Sequence, residues 1–191
     1  MPFDLVETDR LLSTTRAVRK RLDLERPVDR QVVLDCIALS QQAPTGSNTQ
    51  GWRWLVVTDA EKRSALADMY RRAAGDYLSA GATQAEASGN QQTGRVLNSA
   101  VYLAENLERV PVHVIPCLKG VLPPGTPAGM QAGFLGSIFP AVWSFQLALR
   151  ARGLGSVITT LHLGFADEAA KLLGIGRATL YRKIDEYDIN R

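Results

Sequence analysis

Two separated stretches of this 191-residue chain contain residue types that could form a binding site. Residues 15–21 read Thr-Arg-Ala-Val-Arg-Lys-Arg and form the densest run of cations. Residues 42–52 form a small polar loop with a proline and two glycines, and the loop leads into an aromatic segment. Guanidinium groups offer paired donors to a phosphate, and an ammonium offers a point charge. These stretches predict a site for a flat, anionic cofactor, with cations at its phosphate and amide groups around its ring.

Each stretch also has a simpler interpretation that the residues alone leave open. The cationic run is compatible with a solvated basic face, and the polar loop with an ordinary helix-to-strand turn. The chain has 22 Lys and Arg against 19 Asp and Glu, which gives a net charge of +3 and a pI near 9.0. An excess this small favours an anionic ligand only weakly and is weak evidence for nucleic-acid binding.

Other kinds of chemistry find little support in the sequence. Cys36 and Cys117 are far apart and lack metal-ligand spacing, so we interpret them as reduced, buried cysteines. We interpret His113 and His162 as structural residues. No Ser-His-Asp order, paired-carboxylate pattern, Walker loop or Cys/His cluster stands out, so we predict no metal site and assign no catalytic side chain.

The hydrophobic pattern predicts a layered domain that would position these stretches. It predicts helices over residues 29–41, 58–73, 96–107 and 133–152, and strands over residues 52–58, 111–118 and 156–161. Thr58 and Glu61 have the spacing of a capping box. Residues 75–94 are polar, rich in Gly, Ala and Gln and without clear periodicity, which indicates a mobile lid or a weak helix. Alternating helices and strands indicate an α/β or α+β layered domain.

The N-terminal residues and the apolar runs of the sequence bear on where in the cell the protein is located. The N-terminal residues carry scattered charges without an apolar region of the signal-peptide type. We find no run that approaches the roughly 18 apolar residues of a membrane span. We therefore expect a cytoplasmic protein without a membrane partner.

The two stretches together resemble the FMN-dependent nitroreductase family over about residues 12–165. The family's Arg-Arg-Ser-x-Arg/Lys-x-Phe motif aligns with Arg-Ala-Val-Arg-Lys-Arg-Leu at residues 16–22. Its Ala-Pro-Ser-x-x-Asn-x-Gln-x-Trp loop aligns with residues 43–52, where threonine replaces the serine. The resemblance implies an α+β fold, with a nitroreductase-like mixed sheet flanked by helices, and a flavin-binding domain over residues 1–165.

The resemblance also implies which residues bind the cofactor. In the arginine-rich segment these are Arg16, Ala17, Val18 and Lys20, near the flavin phosphate, ribityl chain or ring. Val18 replaces the family's serine, so one side-chain hydrogen bond is lost, while backbone contacts at Ala17 and Val18 are expected to remain. The other implied positions lie in the polar loop, often contributed by the partner subunit, and near the reactive edge of the ring: Pro44, Thr45, Gly46, Asn48, Ile158, Thr159, Thr160 and Leu161.

The activity implied by the resemblance is that of a homodimeric NAD(P)H oxidoreductase. NAD(P)H would reduce bound FMN by hydride transfer, and the flavin would then reduce a nitroaromatic, quinone or similar electron-poor acceptor in a ping-pong cycle. The flavin would carry the chemistry, and the protein would position and tune it.

The sequence departs from the family pattern near its C-terminus, so we treat residues 166–191 as a separate helix-turn-helix-like tail. Residues 167–189 resemble a Fis-type DNA-binding unit, with a first helix over 169–173, a turn at Gly174 and a recognition helix over 177–187. The alternative is an amphipathic helical hairpin that closes the domain. The tail leaves open two further functions: a DNA-binding or regulatory protein, and an inactive flavoprotein remnant.

Overall fold

The computed structural model describes residues 3–120 and 122–175. Two compact units form: Met1–Val57 with Pro111–Ile158, and Thr58–Val110 with Thr159–Arg191. In chain order the elements are α1 (Leu5–Thr14), α2 (Arg30–Ser40), β1 (Trp52–Val57), α3 (Ala60–Ala74), α4 (Tyr77–Ala87), α5 (Gln91–Asn106), β2 (His113–Leu118), α6 (Ala128–Gly136), α7 (Phe139–Ala151) and α8 (Ala166–Leu173).

The first unit contains a small antiparallel sheet. β1 pairs with β2, with Trp52 opposite Leu118 and Val57 opposite His113. The predictions of these strands from their aromatic and β-branched residues are confirmed. Within the described residues the sheet has two strands, so it is smaller than the mixed sheet that the resemblance implies.

The predicted helix over 29–41 is also confirmed, as α2. The Asp29 carboxylate caps it by accepting the Gln31 N–H at 2.8 Å. Apolar residues of α2 pack against α7, and half-buried residues of both strands lie against them. The core cluster is Val33, Cys36, Ile37, Phe145 and Leu149.

The predicted strand over 156–161 is absent. The Ser156 carbonyl accepts the Val18 N–H at 2.9 Å, which is an isolated bond. The chain then has no regular secondary structure to Thr160 and forms a 3-10 helix at Leu161–Phe165. A β-branched run was therefore insufficient to make a strand here, because the neighbouring chain offers a single bond where a strand needs a ladder.

The single helix predicted over 133–152 is two helices, α6 and α7, with a break at Ser137 and Ile138. Pro140 lies in the first turn of α7, where its missing N–H is tolerated. In a continuous helix the Pro140 ring would clash with the Gly136 carbonyl. The apolar periodicity continues from α6 into α7, so the hydrophobic pattern of the sequence does not reveal the break between them.

The expectation that no stretch is apolar enough for a membrane span is wrong. By length and composition, Ala128–Ala151 meets that description, and 28% of its apolar window is buried. A core helix of a soluble protein meets the same description, and this stretch contributes core residues in its second half. The finding is therefore weak evidence for a membrane span.

The second unit contains a helical hairpin where the sequence predicts a lid or a weak helix. Residues 75–94 form α4, a turn and the start of α5. Leu78, Ala82 and Ala85 are the buried residues of α4. Gly81 lies so close to α5 that a Cβ there would be 3.1 Å from Leu97 Cδ1. The small residues that weaken the periodicity are thus the ones that allow close helix packing.

The start of α3 differs from the predicted capping box. Asp59, rather than Thr58, is the N-cap, and its carboxylate accepts the Lys62 N–H at 2.9 Å. Asp and Thr are both good N-caps, so adjacent candidates compete and the sequence does not decide between them.

Helix α8 contains the first helix of the predicted tail and ends at Gly174, whose φ of +69° favours glycine. Arg72 pairs with both Glu168 oxygens at 2.9 Å and stacks over the Phe165 ring at 4.0 Å, which ties α8 to α3. The Glu168 pKa is lowered because its carboxylate accepts these hydrogen bonds. The predicted recognition helix over 177–187 lies outside the described residues.

Candidate flavin-binding site

The arginine-rich segment follows the end of α1 and is held at one backbone point. Arg16, Ala17 and Lys20 are exposed, and Val18 is half-buried. The Val18 N–H donates to Ser156, so it is already occupied. A backbone contact from Val18 to the flavin would therefore involve its carbonyl group, and the assignment of Ala17 and Val18 to the flavin stays a prediction.

A close approach at Gly155 fixes the segment against residues 153–158. A Cβ at Gly155 would lie 3.1 Å from Leu22 Cδ2 and 3.2 Å from the Val18 Cβ. Such distances are tighter than ordinary van der Waals contact, so a side chain at this position would require its neighbours to move slightly. The structure therefore brings together two predicted site segments of the first unit, the arginine-rich segment and the chain leading to Ile158, which is 47% exposed.

The polar loop is anchored to the break between α6 and α7. The Gly46 N–H donates to Ser137 Oγ at 3.2 Å. Within the loop, the Asn48 N–H donates to the Thr45 carbonyl at 3.1 Å and the Gln50 N–H to Thr45 Oγ1 at 3.1 Å. The Asn48 side-chain amide has no hydrogen bond to any described residue, and it is exposed. Asn48 thus offers both a donor and an acceptor to a ligand.

The loop backbone is strained. Ser47, Asn48 and Gln50 have φ values of +52°, +51° and +45° without being glycine. Each such residue costs about 1–3 kcal/mol and persists only where surrounding bonds hold it. Strain of this kind concentrates at ligand-binding segments.

The two tryptophans after the loop belong to the core, as the sequence indicates. Trp52 is buried, and its indole N–H donates to the Ser137 carbonyl at 2.6 Å. Trp54 lies 5.4 Å from Phe145, centroid to centroid. Both tryptophans thus pack in the core of the first unit, where they help to position the loop and the sheet.

The predicted residues 158–161 fall on both sides of the unit boundary. Ile158 ends its part of the first unit, whereas Thr159, Thr160 and Leu161 belong to the second. Leu161 packs against the core cluster that contains Tyr70 and Ala100. The assignment of these residues to the flavin stays a prediction.

Sequence reasoning missed Ser137 and Ser156, which anchor the loop and the arginine-rich segment respectively. Each is distant in sequence from the segment it holds, and a lone serine has no spacing pattern that would identify it. The one indication of Ser137 is the nearby Pro140, which predicts a helix start.

Titratable groups offer no separate catalytic centre in the described residues. No group of three metal-ligating side chains forms there. Burial raises the pKa of the Cys36 thiol and of the Cys117 thiol. A raised thiol pKa disfavours the reactive thiolate. Burial also lowers the pKa of His162, so this imidazole is neutral in the folded protein at neutral pH.

A surface depression of about 400 Å³ is lined by residues 163–168 of the second unit. None of the predicted flavin-binding residues lines it. It is therefore separate from the site that the motifs indicate.

The residues of the first unit fit the chemistry of FMN. Arg16 and Lys20 form no ion pair with a described residue, so both charges can face a phosphate. Arg16 makes a long hydrogen bond, 3.4 Å, to the Ser13 carbonyl. Asn48 supplies an uncommitted amide for a heteroaromatic ring.

Comparison with known proteins identifies the fold. The sequence profile described as "Nitroreductase family" matches residues 12–181. The chain belongs to the nitroreductase family. The match extends past residue 165, where the sequence analysis placed the end of the resemblance, and covers part of the supposed tail. The Fis-type interpretation of the tail receives no support from the comparisons.

Solved structures agree with this nitroreductase-like, α+β fold. A BluB-like flavoprotein from Clostridium difficile 630 has a TM-score of 0.62 and 20% identity, covering 93% of this chain and 83% of that chain. The FMN-dependent nitroreductase NfnB from Mycobacterium smegmatis, solved with NADPH, has a TM-score of 0.62 and 22% identity, covering 91% and 83%.

An iodotyrosine deiodinase solved with FMN and 3-iodo-L-tyrosine also matches, with a TM-score of 0.64 and 20% identity, covering 88% of this chain and 81% of that chain. The comparison with curated proteins found no match.

Proposed function

We propose that this nitroreductase-family chain is an FMN-dependent NAD(P)H oxidoreductase. The observation that carries the proposal is the family match over residues 12–181, which includes every predicted flavin-binding residue. The exposed cations at Arg16 and Lys20, which form no ion pair within the described part of the chain, support it because they suit the phosphate that distinguishes FMN from riboflavin.

In this proposal the chain binds and orients the cofactor. Arg16 and Lys20 hold its phosphate end, and the strained loop presents the Asn48 amide to its ring. Bound FMN would supply a two-electron relay from NAD(P)H to an electron-poor acceptor, in ping-pong fashion. Nitroaromatics and quinones are the acceptor classes we propose. A shared fold does not fix the acceptor, and NADH and NADPH are both candidate donors.

We also propose that the chain acts as a cytoplasmic homodimer. Large apolar side chains are exposed on α6 and α7, namely Met130, Leu135, Phe139 and Trp143. Exposed apolar residues of this size mark an interaction surface where they form one patch. A second copy would cover them and, following the resemblance, would complete the flavin site across the subunit boundary.

The test begins with the full-length protein. Its visible spectrum is recorded during titration with FMN, and oxidation of NADH and NADPH is followed with a nitroaromatic or a quinone present. We expect saturable FMN binding and acceptor-dependent oxidation of at least one nicotinamide cofactor. The proposal fails if saturating FMN neither binds nor supports this oxidation.

An Arg16→Ala variant tests the assigned phosphate contact, with Arg10→Ala as its control. Arg10 is an exposed arginine on α1 that pairs with Glu7 at 3.3 Å. We expect weaker FMN binding in Arg16→Ala and unchanged binding in Arg10→Ala. Equal binding by both variants would remove Arg16 from the site.

A further inference from the structure

The last two turns of α7 contact Thr14, which precedes the arginine-rich segment, and Ser156, which is bonded to that segment. Gln146 and Arg150 are four residues apart and therefore share one face of the helix. Gln146 Nε2 donates to Ser156 Oγ at 3.3 Å, and Arg150 Nη2 donates to Thr14 Oγ1 at 3.4 Å. The Ser156 carbonyl in turn accepts the Val18 N–H. Arg150 is thus placed beside the start of the arginine-rich segment by contacts on the same helix face.

Arg150 and Arg16 converge on neighbouring residues. Arg16 Nη2 contacts the Ser13 carbonyl and Arg150 Nη2 contacts Thr14 Oγ1, each at 3.4 Å. Both distances lie beyond the usual range for a protein hydrogen bond, so both guanidinium groups are weakly held. Both side chains are exposed, and neither forms an ion pair with a residue that the structure describes. Guanidinium groups that approach each other repel, and an anion bound between them would relieve that repulsion.

We propose that Arg150 is a second guanidinium ligand for the FMN phosphate and acts together with Arg16. The inference rests on the proposed function. A phosphate monoester carries about −1.5 to −2 charges at neutral pH and three acceptor oxygens, which suits two guanidinium groups better than one. The 3.4 Å contacts are weak enough to be exchanged for charge-assisted bonds to phosphate oxygens.

Arg150 also lies in the last turn of α7, where the helix dipole stabilises any positive charge. That structural role predicts an effect of Arg150 on stability alone. The proposed role predicts an effect on FMN binding that riboflavin, which lacks the phosphate, does not share. Comparing the two flavins therefore separates the roles.

The experiment measures dissociation constants for FMN and riboflavin by quenching of flavin fluorescence, with wild type, Arg150→Ala and Arg152→Ala. Arg152 is the matched control, since it is an exposed arginine at the same helix end and donates to the Ala148 carbonyl. We expect Arg150→Ala to weaken FMN binding about tenfold, the effect of one charge-assisted hydrogen bond, and to leave riboflavin binding within about twofold. Arg152→Ala should leave both constants unchanged.

Arg150→Lys and thermal unfolding without flavin guard against a folding defect. The lysine variant keeps the charge but loses the planar fork, so its FMN affinity should fall between wild type and Arg150→Ala. An unchanged ratio of FMN to riboflavin affinity in both Arg150 variants would overturn the inference while the proposed function stood. If the wild-type protein bound no FMN, the proposed function and the inference would fail together.

Discussion

The polar loop concentrates backbone strain at three residues, and this has a measurable cost. Ser47 is the simplest of them to relieve, since its φ of +52° and ψ of +25° suit glycine. Its neighbour Asn48 carries the amide assigned to the flavin. Strain at Ser47 therefore lies beside the group that we propose as a flavin ligand, and strain of this kind concentrates at ligand-binding segments.

Ser47→Gly should therefore stabilise the protein by about 0.5 kcal/mol, because relief of left-handed strain exceeds the added entropy of the unfolded chain. The control is Ser64→Gly within α3, which should destabilise by about 0.5–1 kcal/mol because glycine is a poor helix former. Denaturant unfolding measures both changes. Destabilisation of similar size in both variants would show that the loop is not strained at Ser47.

The half-buried His162 makes stability depend on pH. Burial lowers its pKa in the folded state, so the unfolded chain binds a proton first as pH falls. The contribution of neutral His162 is therefore complete above the ordinary pKa of about 6.5 and is lost progressively below it. Unfolding free energies at about pH 7.5 and about pH 5.5 should differ less in His162→Gln than in wild type. An equal pH dependence in the two proteins would contradict this assignment.

At the scale of single residues, the sequence identified the candidate site segments but not the residues to which these segments are hydrogen-bonded. The arginine-rich segment and the polar loop are recognisable because residue type and order are local properties. The bonds from Val18 to Ser156 and from Gly46 to Ser137 join residues far apart in sequence. Such pairs are set by the fold, so no local pattern contains them.

Among the elements, the contact between the arginine-rich segment and residues 153–158 depends on one missing side chain. Gly155 faces Val18 and Leu22 at distances that no Cβ tolerates without movement. The Val18 side chain is β-branched and stiff, so it cannot turn aside cheaply. An added methyl group would therefore force these neighbouring side chains to shift by a few tenths of an ångström.

Gly155→Ala should therefore cost about 1–3 kcal/mol of stability, as other overpacked sites do. The control is Gly133→Ala in α6, where a Cβ meets no atom within 4 Å and alanine should stabilise the helix by up to about 1 kcal/mol. Thermal and denaturant unfolding report both values. A neutral Gly155→Ala variant would show that the two segments separate readily.

Elements with a complete local pattern were predictable, and those shaped by distant contacts were not. α2, β1 and β2 have periodic or β-branched sequences that match their buried faces. The sequence of α4 shows no clear periodicity because two of its buried residues are alanines, which are small enough for close helix packing but weakly apolar. The break between α6 and α7 was hidden because both helices continue one apolar periodicity.

At the scale of the whole molecule, the exposed apolar side chains of α6 and α7 bear on whether the protein associates with a second copy. Phe139 and Trp143 are one turn apart on α7 and are 50% and 46% exposed. Large aromatic residues dominate the energetics of protein interfaces. If a second copy covers this face, its association depends on Trp143.

Trp143→Glu should raise the dimer dissociation constant by about tenfold or more, because a buried carboxylate would replace an aromatic contact. The matched control is Leu39→Glu on α2, where the native side chain is 51% exposed. Sedimentation equilibrium measures both variants. A wild-type protein that stays monomeric, or equal weakening by both variants, would reject this face as the dimer surface.

Ser137 joins these scales at one position. Its hydroxyl accepts the Gly46 N–H and donates to the Gly133 carbonyl, and its own carbonyl accepts the Trp52 indole. In an unbroken helix that carbonyl would be bonded to the Ala141 N–H instead. The break between the helices therefore leaves the Ser137 carbonyl free to bind the Trp52 indole. A sequence that restored a continuous helix would remove this bond and would thereby release the loop that this protein is proposed to offer its cofactor.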